Sequence, residues 1–341
     1  MRSCMQEVNL LYYTGLTTNV ASGHEFITPD DVDNMRAFNL KITSGMSRES
    51  FKLLQRSFAH KMDIDSEFRI VRRMSTLTEI QIRYYDCCIN SCILFVLEYK
   101  ECELCPHCNE ERFDSQGKAR QRFGYIPLIP RLQGYFQNCK LIELMSYRSE
   151  YKQSDDSISD IFDSDAYRTL CSQDVEADGR KIGHKFFSDP RDIALSLCID
   201  SFLLFKRRRG GPSGTPILLK NHNVPPWLNN QLKYLICVGL ISGPKQPKEL
   251  RTFLMPLEEE LVQLAHGVPT FDCTSEGIFD LHAYDILQTG DMVSIEKFLG
   301  IKGHNAIFPC RSCRIQAVRD TSLQRSPYYA ALTHPIKTKK P

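Results

Sequence analysis

Residues 189–206 read DPRDIALSLCIDSFLLFK and carry an apolar run from Ile193 to Ile199. A run almost without a polar break is more typical of a strand covered on both faces than of an amphipathic helix. It delivers one carboxylate, Asp200, to the end of the predicted strand. A carboxylate beside buried apolar residues is costly unless it reaches solvent or a cation, so Asp200 either begins a turn or belongs to a metal site.

A second carboxylate, Asp291, ends the apolar segment LHAYDILQTGD at residues 281–291. Between the two acids, residues 202–205 and 216–219 flank a glycine-rich stretch and predict strand, turn and strand, and residues 234–241 predict a further strand. An antiparallel start followed by helix-linked strands, with acids at strand ends, is the layout of a ribonuclease-H-like core. We therefore predict an α/β (α+β) fold whose acids share two divalent cations for phosphoryl transfer.

Four segments, in this order and at this spacing, resemble the CACTA (En/Spm-type) DNA transposases of fungal genomes. They are DPRDIALSLCIDSFLLFK (189–206), NHNVPPWL (221–228), LICVGLISGPKQPKELRTFLMPLEEEL (235–261) and TGDMVSIEKFLGIKGHNAIFPCRSC (289–313). The resemblance implies a cut-and-paste DDE transposase in which Asp200 and Asp291 are the first two catalytic acids and hold Mg2+ or Mn2+. It also implies transposon-end DNA as the partner, association with itself or with a full-length transposase, and a nuclear location. The family usually has glycine where this chain has Ser201, so we expect a less free backbone after Asp200.

The family's third acid is a Glu that comes well after its CxxC element. After Asp291 the acids are Glu296 and Asp320, and neither has the expected spacing. We therefore expect a truncated and inactive copy of a transposase, with its enzyme status left open. The alternative is a non-catalytic, zinc-containing module derived from a transposon that binds DNA or a transposase.

Residues 84–112 read YYDCCINSCILFVLEYKECELCPHCNEER and contain two cysteine pairs. The paired spacing of Cys88 with Cys92 and of Cys105 with Cys108 predicts a tetrahedral Zn2+ site, with two short strands in the gap between the pairs. The alternative is a set of buried free cysteines, and His107 is expected to be a loop residue. The resemblance supports the zinc interpretation, since the family carries D-x-C-x-N-S-C followed by CPxC in this region.

The segment GHNAIFPCRSC contains a further imidazole and thiol pair, His304 with Cys310 and Cys313. These three residues form a partial metal site, for which His334 is a fourth candidate, or else the CxxC only closes a turn.

Basic residues follow the first predicted catalytic strand and recur in the segment GPKQPKELR. The predicted DNA-binding residues are Lys206, Arg207, Arg208, Arg209, Lys245 and Lys248, and Arg251 extends the same surface. Basic side chains beside a two-metal site would neutralise DNA phosphates, whereas the alternative for the first four is a solvated hairpin tip.

Composition is ordinary for a soluble chain of 341 residues, with 42% hydrophobic and 25% charged residues. A net charge of +2 means that DNA contact must come from local patches. The chain has 14 cysteines, and its N-terminus lacks a signal-peptide pattern, so we expect reduced thiols. The longest clean apolar run, Tyr234 to Ile241, is far shorter than the roughly 18 residues of a membrane span, so we expect no membrane partner. The predicted organisation is an unassigned segment (1–27), a helical region (28–83) with helices starting near Thr28 and Arg48, a zinc-ribbon-like module with a docking helix (84–148), an acidic connection (149–188) and the core (189–341).

Overall fold

A computed structural model describes residues 27–78, 80–154, 157–203, 213–243 and 246–290, with residue 295 and residues 306–308 and 315–317. The chain divides into two compact units, Met1–Leu287 and Gln288–Pro341. Apart from the last two residues of its final strand, every helix and strand given below belongs to the first unit.

The described elements mix helix and sheet, which supports the α+β class. The helices are α1 (Pro29–Thr43), α2 (Arg48–Phe58), α3 (Glu67–Leu77), α4 (Ile129–Tyr135), α5 (Cys139–Met145), α6 (Tyr147–Glu150), α7 (Asp165–Ser172) and α8 (Leu250–His266). The strands are β1 (Arg83–Asp86), β2 (Arg122–Tyr125), β3 (Asp174–Ala177), β4 (Arg180–Lys185), β5 (Ile193–Ile199), β6 (Phe202–Leu203), β7 (Ser213–Asn221), β8 (Leu235–Ser242), β9 (Val268–Asp272), β10 (Gly277–Leu281) and β11 (Ala283–Thr289). In the described part of the chain, no helix combines the length and hydrophobicity needed to cross a bilayer.

The first helix, α1, begins where the sequence predicts. The Thr28 side chain accepts from Asp31 N and the Asp31 side chain accepts from Thr28 N, a capping box that starts α1. Arg73 on α3 binds the Asp31 carboxylate at 2.9 and 3.0 Å, so the cap also joins two helices. Phe38 and Phe51 are buried between the helices. The second helix, predicted from Arg48 to His60, is confirmed as α2, which ends at Phe58. Helix α3 has no counterpart among the predictions.

One sheet organises the rest of the described chain, in the order β1-β2-β8-β7-β5-β11, with β6 paired to β7. The pairs β5–β7 and β7–β8 are antiparallel. Beside them, Ile193 N donates to His282 O at 2.9 Å and Leu197 N donates to Asp285 Oδ1 at 3.1 Å. These contacts advance in the same direction along both chain segments, so β11 runs parallel to β5.

Strand β5 is covered on both faces, which confirms the prediction from its apolar run. Its residues from Ile193 to Leu197 are all buried, and Ile199 is buried as well. Helix α8 covers part of the sheet with Phe253, whose ring meets Phe123 of β2 edge-on at 5.5 Å between centroids. The position of β5 is therefore set by packing on two sides.

The beginning of β5 is held by a network around the DPRD sequence. Arg148 on α6 donates to the carbonyl groups of Asp189, Pro190 and Asp192 at 2.8 to 3.0 Å. The buried Asp192 carboxylate lies 3.0 Å from Nδ1 of His282, the residue before β11. The two parallel strands thus share an anchor at the residues that immediately precede them.

The segment predicted to be an acidic connection is structured. It contains α7 and the β3–β4 hairpin. Phe162 and Tyr167 are buried against Ala194 of β5, and Val175 is buried with Tyr284 of β11. Aromatic side chains from this segment therefore cover part of the sheet, although the domain boundaries stay predictions.

Candidate functional site

The four cysteines selected by their spacing lie together. The sulfur atoms of Cys88, Cys92, Cys105 and Cys108, here called the cysteine cluster, are all within 4.8 Å of one another. The first three residues are buried and Cys108 is half-buried. Among the described residues, no other group of three or more His, Cys, Asp or Glu ligands lies as close.

Two tight turns present the cysteines. Ser91 N donates to Cys88 O at 2.7 Å, and Asn109 N donates to Cys105 O at 2.8 Å. Ser91 has a φ of 56° and Asn109 a φ of 60°, in the left-handed region. A left-handed residue lets the chain reverse within a few residues, so that both cysteines of a pair point at the same spot.

The prediction of two short strands in the gap between the pairs is wrong. All of residues 87–121 are described, and they contain one turn of 3-10 helix, Leu97–Tyr99, with isolated bridges such as that between Cys87 and Leu94. The backbone hydrogen bonds of this stretch close turns or form isolated bridges, and no continuous strand ladder results.

Two thiols of the cluster resist ionisation when no metal is bound. Burial raises the pKa of Cys88 to about 11, and burial followed by the neighbouring thiols raises the pKa of Cys92 further. Burial also opposes ionisation of Cys108, but hydrogen bonds from Asn90 Nδ2 and Glu110 N outweigh it and lower the pKa of Cys108 to about 7. A metal ion displaces these protons because the thiolate is the ligand, so affinity should rise with pH.

The donor set fits a structural ion. Four sulfur ligands close a tetrahedral shell and leave no open position for water or substrate. Asn90 N lies 3.4 Å from Cys88 Sγ, the kind of N–H to sulfur contact that orients a thiolate ligand. The cluster is therefore compatible with the predicted zinc, and the identity of the ion stays a prediction.

Glu249, the residue before α8, connects the cysteine cluster to the core. Its Oε1 accepts from Tyr99 OH at 2.7 Å and lies 2.7 Å from His107 Nε2. Lys248 N and Glu249 N both donate to Cys92 O, at 2.9 and 3.1 Å. His107 lies in a turn and outside the cluster, as expected from the sequence. Its contact with Glu249 could not be predicted, because the two residues are distant along the chain.

The first predicted catalytic acid lies where the sequence places it. Asp200 directly follows β5 and is exposed. The next residue, Ser201, has its Oγ 2.7 Å from Thr215 Oγ1, which fastens this strand end to β7. The second acid, Asp291, lies outside the described residues, so a cation shared by the two acids stays a prediction.

A further carboxylate near β5 was missed from the sequence. Asp285 lies within β11, is half-buried, and accepts a hydrogen bond from Leu197 N of β5. Burial raises its pKa to about 6. Its position inside an apolar run was the available signal, the same one that drew attention to Asp200.

Several predicted ligands and DNA contacts lie outside the described part of the chain. They are Lys206, Arg207, Arg208, Arg209, Lys245, His304, Cys310, Cys313 and His334. Lys248 is described and exposed. Arg251, on the same segment, forms an ion pair with Glu98 of the cysteine-containing region.

Comparison with known protein families finds one match. Residues 172–335, just under half of the chain, match the model of the transposase family tnp2. The match supports a transposase family for the span that contains Asp200 and Asp291, and it does not reach the cysteine cluster. No curated protein matches the chain.

Proposed function

We propose that the chain is a DNA transposase of the cut-and-paste DDE type in which Asp200 and Asp291 hold Mg2+ or Mn2+. The strand order around β5 carries the proposal: β8, β7 and β5 are antiparallel, α8 follows, and β11 lies parallel beside β5. This order supports the ribonuclease-H-like fold predicted from the sequence. The carboxyl ends of parallel neighbours meet at one sheet edge, and the two acids follow β5 and β11 along the chain.

The roles of the residues follow from their positions. Divalent cations at such a site supply the positive charge that phosphoryl transfer needs at the attacking and leaving oxygens. Asp200 is exposed at a strand end, where its carboxylate reaches a cation brought with DNA. The contact between Ser201 and Thr215 limits movement of that strand end and so keeps the carboxylate in place.

DNA binding is supported by the family match and by the basic segments. Lys206, Arg207, Arg208 and Arg209 follow Asp200 closely in the sequence, and Lys248 is exposed before α8. Phosphate contacts from these residues would position DNA without reading its sequence. A chromosomal DNA substrate also implies a nuclear location.

We expect the 341-residue chain by itself to bind DNA and not to cut it. A second cation usually needs a third acid, and neither Glu296 nor Asp320 has the spacing of the family's Glu. The cysteine cluster, which packs against the segment before α8, favours the alternative function of a zinc-containing module that binds DNA or a transposase.

The metal site is tested directly by iron-mediated cleavage of the polypeptide. Fe2+ replaces Mg2+, ascorbate and peroxide generate radicals at the ion, and the cut sites are mapped by mass spectrometry. We expect cuts near residues 200 and 291, and we expect both sets to disappear in Asp200→Asn. Asp280→Asn, which removes another exposed strand acid, is the matched control. Cuts that persist in Asp200→Asn would show that the iron binds elsewhere.

The DNA surface is tested by the salt dependence of duplex binding. The double substitution Lys206→Ala and Arg207→Ala should reduce the slope of log affinity against log salt by about 2. The control is Lys52→Ala with Arg56→Ala, two exposed basic residues on α2.

Cleavage activity is tested by incubating the protein with the same duplex and Mg2+ or Mn2+. Cleavage that Asp200→Ala abolishes would refute the expectation of an inactive chain.

A further inference from the structure

Two cysteines outside the cysteine cluster lie in near contact. The sulfur atoms of Cys139 and Cys273 are 3.1 Å apart, although 134 residues separate them in sequence. Cys139 is exposed at the first residue of α5, and Cys273 is half-buried directly after β9. Neither residue takes part in the cysteine cluster or in the predicted acidic site.

Contacts that do not involve sulfur hold the two backbones together. Cys273 N donates to Phe136 O at 3.0 Å, just before α5. Gln133 Nε2 donates to Pro269 O at 3.1 Å, and the rings of Phe136 and Phe279 meet edge-on at 4.9 Å between centroids. The approach of the thiols is therefore set by the packing of α4 and α5 against the β9–β10 hairpin, and a bond between them needs only a small movement.

We propose that Cys139 and Cys273 form an oxidation site, at which a disulfide ties α5 to the β9–β10 hairpin. Glutathione disulfide, a small-molecule oxidant, supplies the chemistry. The thiolate of exposed Cys139 attacks one of its sulfurs, and one glutathione leaves as a thiolate. Cys273 then loses its proton and attacks Cys139 Sγ, which releases the second glutathione. Two protein thiols become one disulfide, and one glutathione disulfide becomes two glutathiones.

The order of events follows from exposure. Cys139 is open to a solvent-borne oxidant, whereas burial, followed by the neighbouring Cys139, raises the pKa of Cys273 to about 11. Cys273 therefore reacts slowly with glutathione disulfide itself, but its sulfur lies beside the mixed disulfide once Cys139 has formed one. The closed loop contains β5, β7, β8 and α8, so the bond constrains a long part of the unfolded chain and should raise the Tm by several degrees. The proposal does not depend on the proposed function.

The experiment uses the full chain loaded with zinc, so that the cysteine cluster is protected. The protein is equilibrated with glutathione disulfide, free thiols are alkylated, and peptides are mapped by mass spectrometry without reduction. We expect a cross-linked peptide pair containing Cys139 and Cys273, and a Tm that falls again on reduction. Cys139→Ser and Cys273→Ser should both abolish the cross-link and the Tm shift. Cys171→Ser, at another half-buried cysteine, should preserve both.

Two results would overturn the proposal. In the first, glutathione remains on Cys139 and the thiol of Cys273 is still free to be alkylated. This result would show that the two cysteines cannot form a disulfide. A loss of one equivalent of zinc in Cys139→Ser, with no loss in Cys171→Ser, would show that the pair holds a metal ion rather than a redox bond.

Discussion

The cysteine cluster and the acidic end of β5 are both predicted metal sites, and they differ in how they are built. Cys88 and Cys108, the outermost ligands of the cluster, are only 20 residues apart, and local turns bring the four sulfurs together. Asp200 and Asp291 instead follow β5 and β11, neighbouring strands between which β7, β8 and α8 intervene along the chain. A metal site whose ligands are close in the sequence can be identified from their spacing. A site whose acids are far apart in the sequence depends on the topology of the sheet.

The two regions also differ in burial, which decides what each ligand contributes. Cys88, Cys92 and Cys105 are buried and form a small core with Ile93 and Phe95. Asp200 is exposed. Removing a buried ligand should therefore cost stability, while removing an exposed acid should affect metal binding alone.

The largest effect is expected for Cys105→Ser, in the centre of the cysteine cluster. Cys105 is fully buried, so the variant should lose zinc and about 3 to 5 kcal/mol of unfolding free energy. Zinc content and urea unfolding measure the two losses. Cys102→Ser is the matched control, since Cys102 is half-buried in the same segment but outside the cluster. Equal zinc content in the two variants would contradict a zinc site at these cysteines.

A smaller effect on stability is expected when the pH is lowered, because of His222, which lies beside β5. His222 is buried with its Nε2 2.9 Å from Ser196 Oγ, and burial lowers its pKa to about 4. The unfolded chain binds a proton below about pH 6.5 while the folded chain does not, so stability falls as the pH drops from there towards 4. The loss should reach roughly 2 to 3 kcal/mol near pH 4.

This pH effect is measured by urea unfolding of the zinc-free chain, in which proton competition for metal plays no part. His222→Gln should flatten the dependence between pH 6.5 and 4. His60→Gln, at an exposed histidine after α2, should leave it unchanged. A slope that survives His222→Gln would mean that another buried group dominates.

A still smaller effect is expected for the link between the cysteine cluster and α8. Glu249→Gln weakens the contacts with Tyr99 and His107 and should cost about 1 to 2 kcal/mol. Glu98→Gln, which removes a more exposed ion pair with Arg251, should cost less than about 1 kcal/mol. Equal costs would indicate that the buried backbone contacts at Cys92, rather than Glu249, join the two regions.

The smallest effect on stability is expected for Asp200→Asn, with a change within about 0.5 kcal/mol. Metal binding should nevertheless be lost, as measured by calorimetric titration with Mn2+. A clear loss of stability would indicate that the carboxylate holds the strand end, and it would remove the contrast with the cysteine cluster.

Much of the region around β5 could be predicted from the sequence. The apolar run identified a strand buried on both faces, and the capping residues at Thr28 identified the start of α1. Local pattern failed for the gap between the cysteine pairs, residues 93–104, where a turn of 3-10 helix and isolated bridges replace the expected strands, and it did not identify α3. Within the gap, Leu94 N donates to Thr252 Oγ1 of α8, a contact with a residue far along the chain that local pattern does not reveal.

By itself, the sequence determined which cysteines would meet, because their spacing restricts them to adjacent turns, and which strand would end at Asp200, because continuous apolar character requires burial on both faces. Only the tertiary structure decided that His107 contacts the carboxylate of Glu249, that Asp285 accepts a hydrogen bond from Leu197, and that Cys139 lies beside Cys273. Each of these pairs is separated by long stretches of chain. The physical reason is that side-chain packing and strand order, rather than local conformational preference, set the distances between such residues.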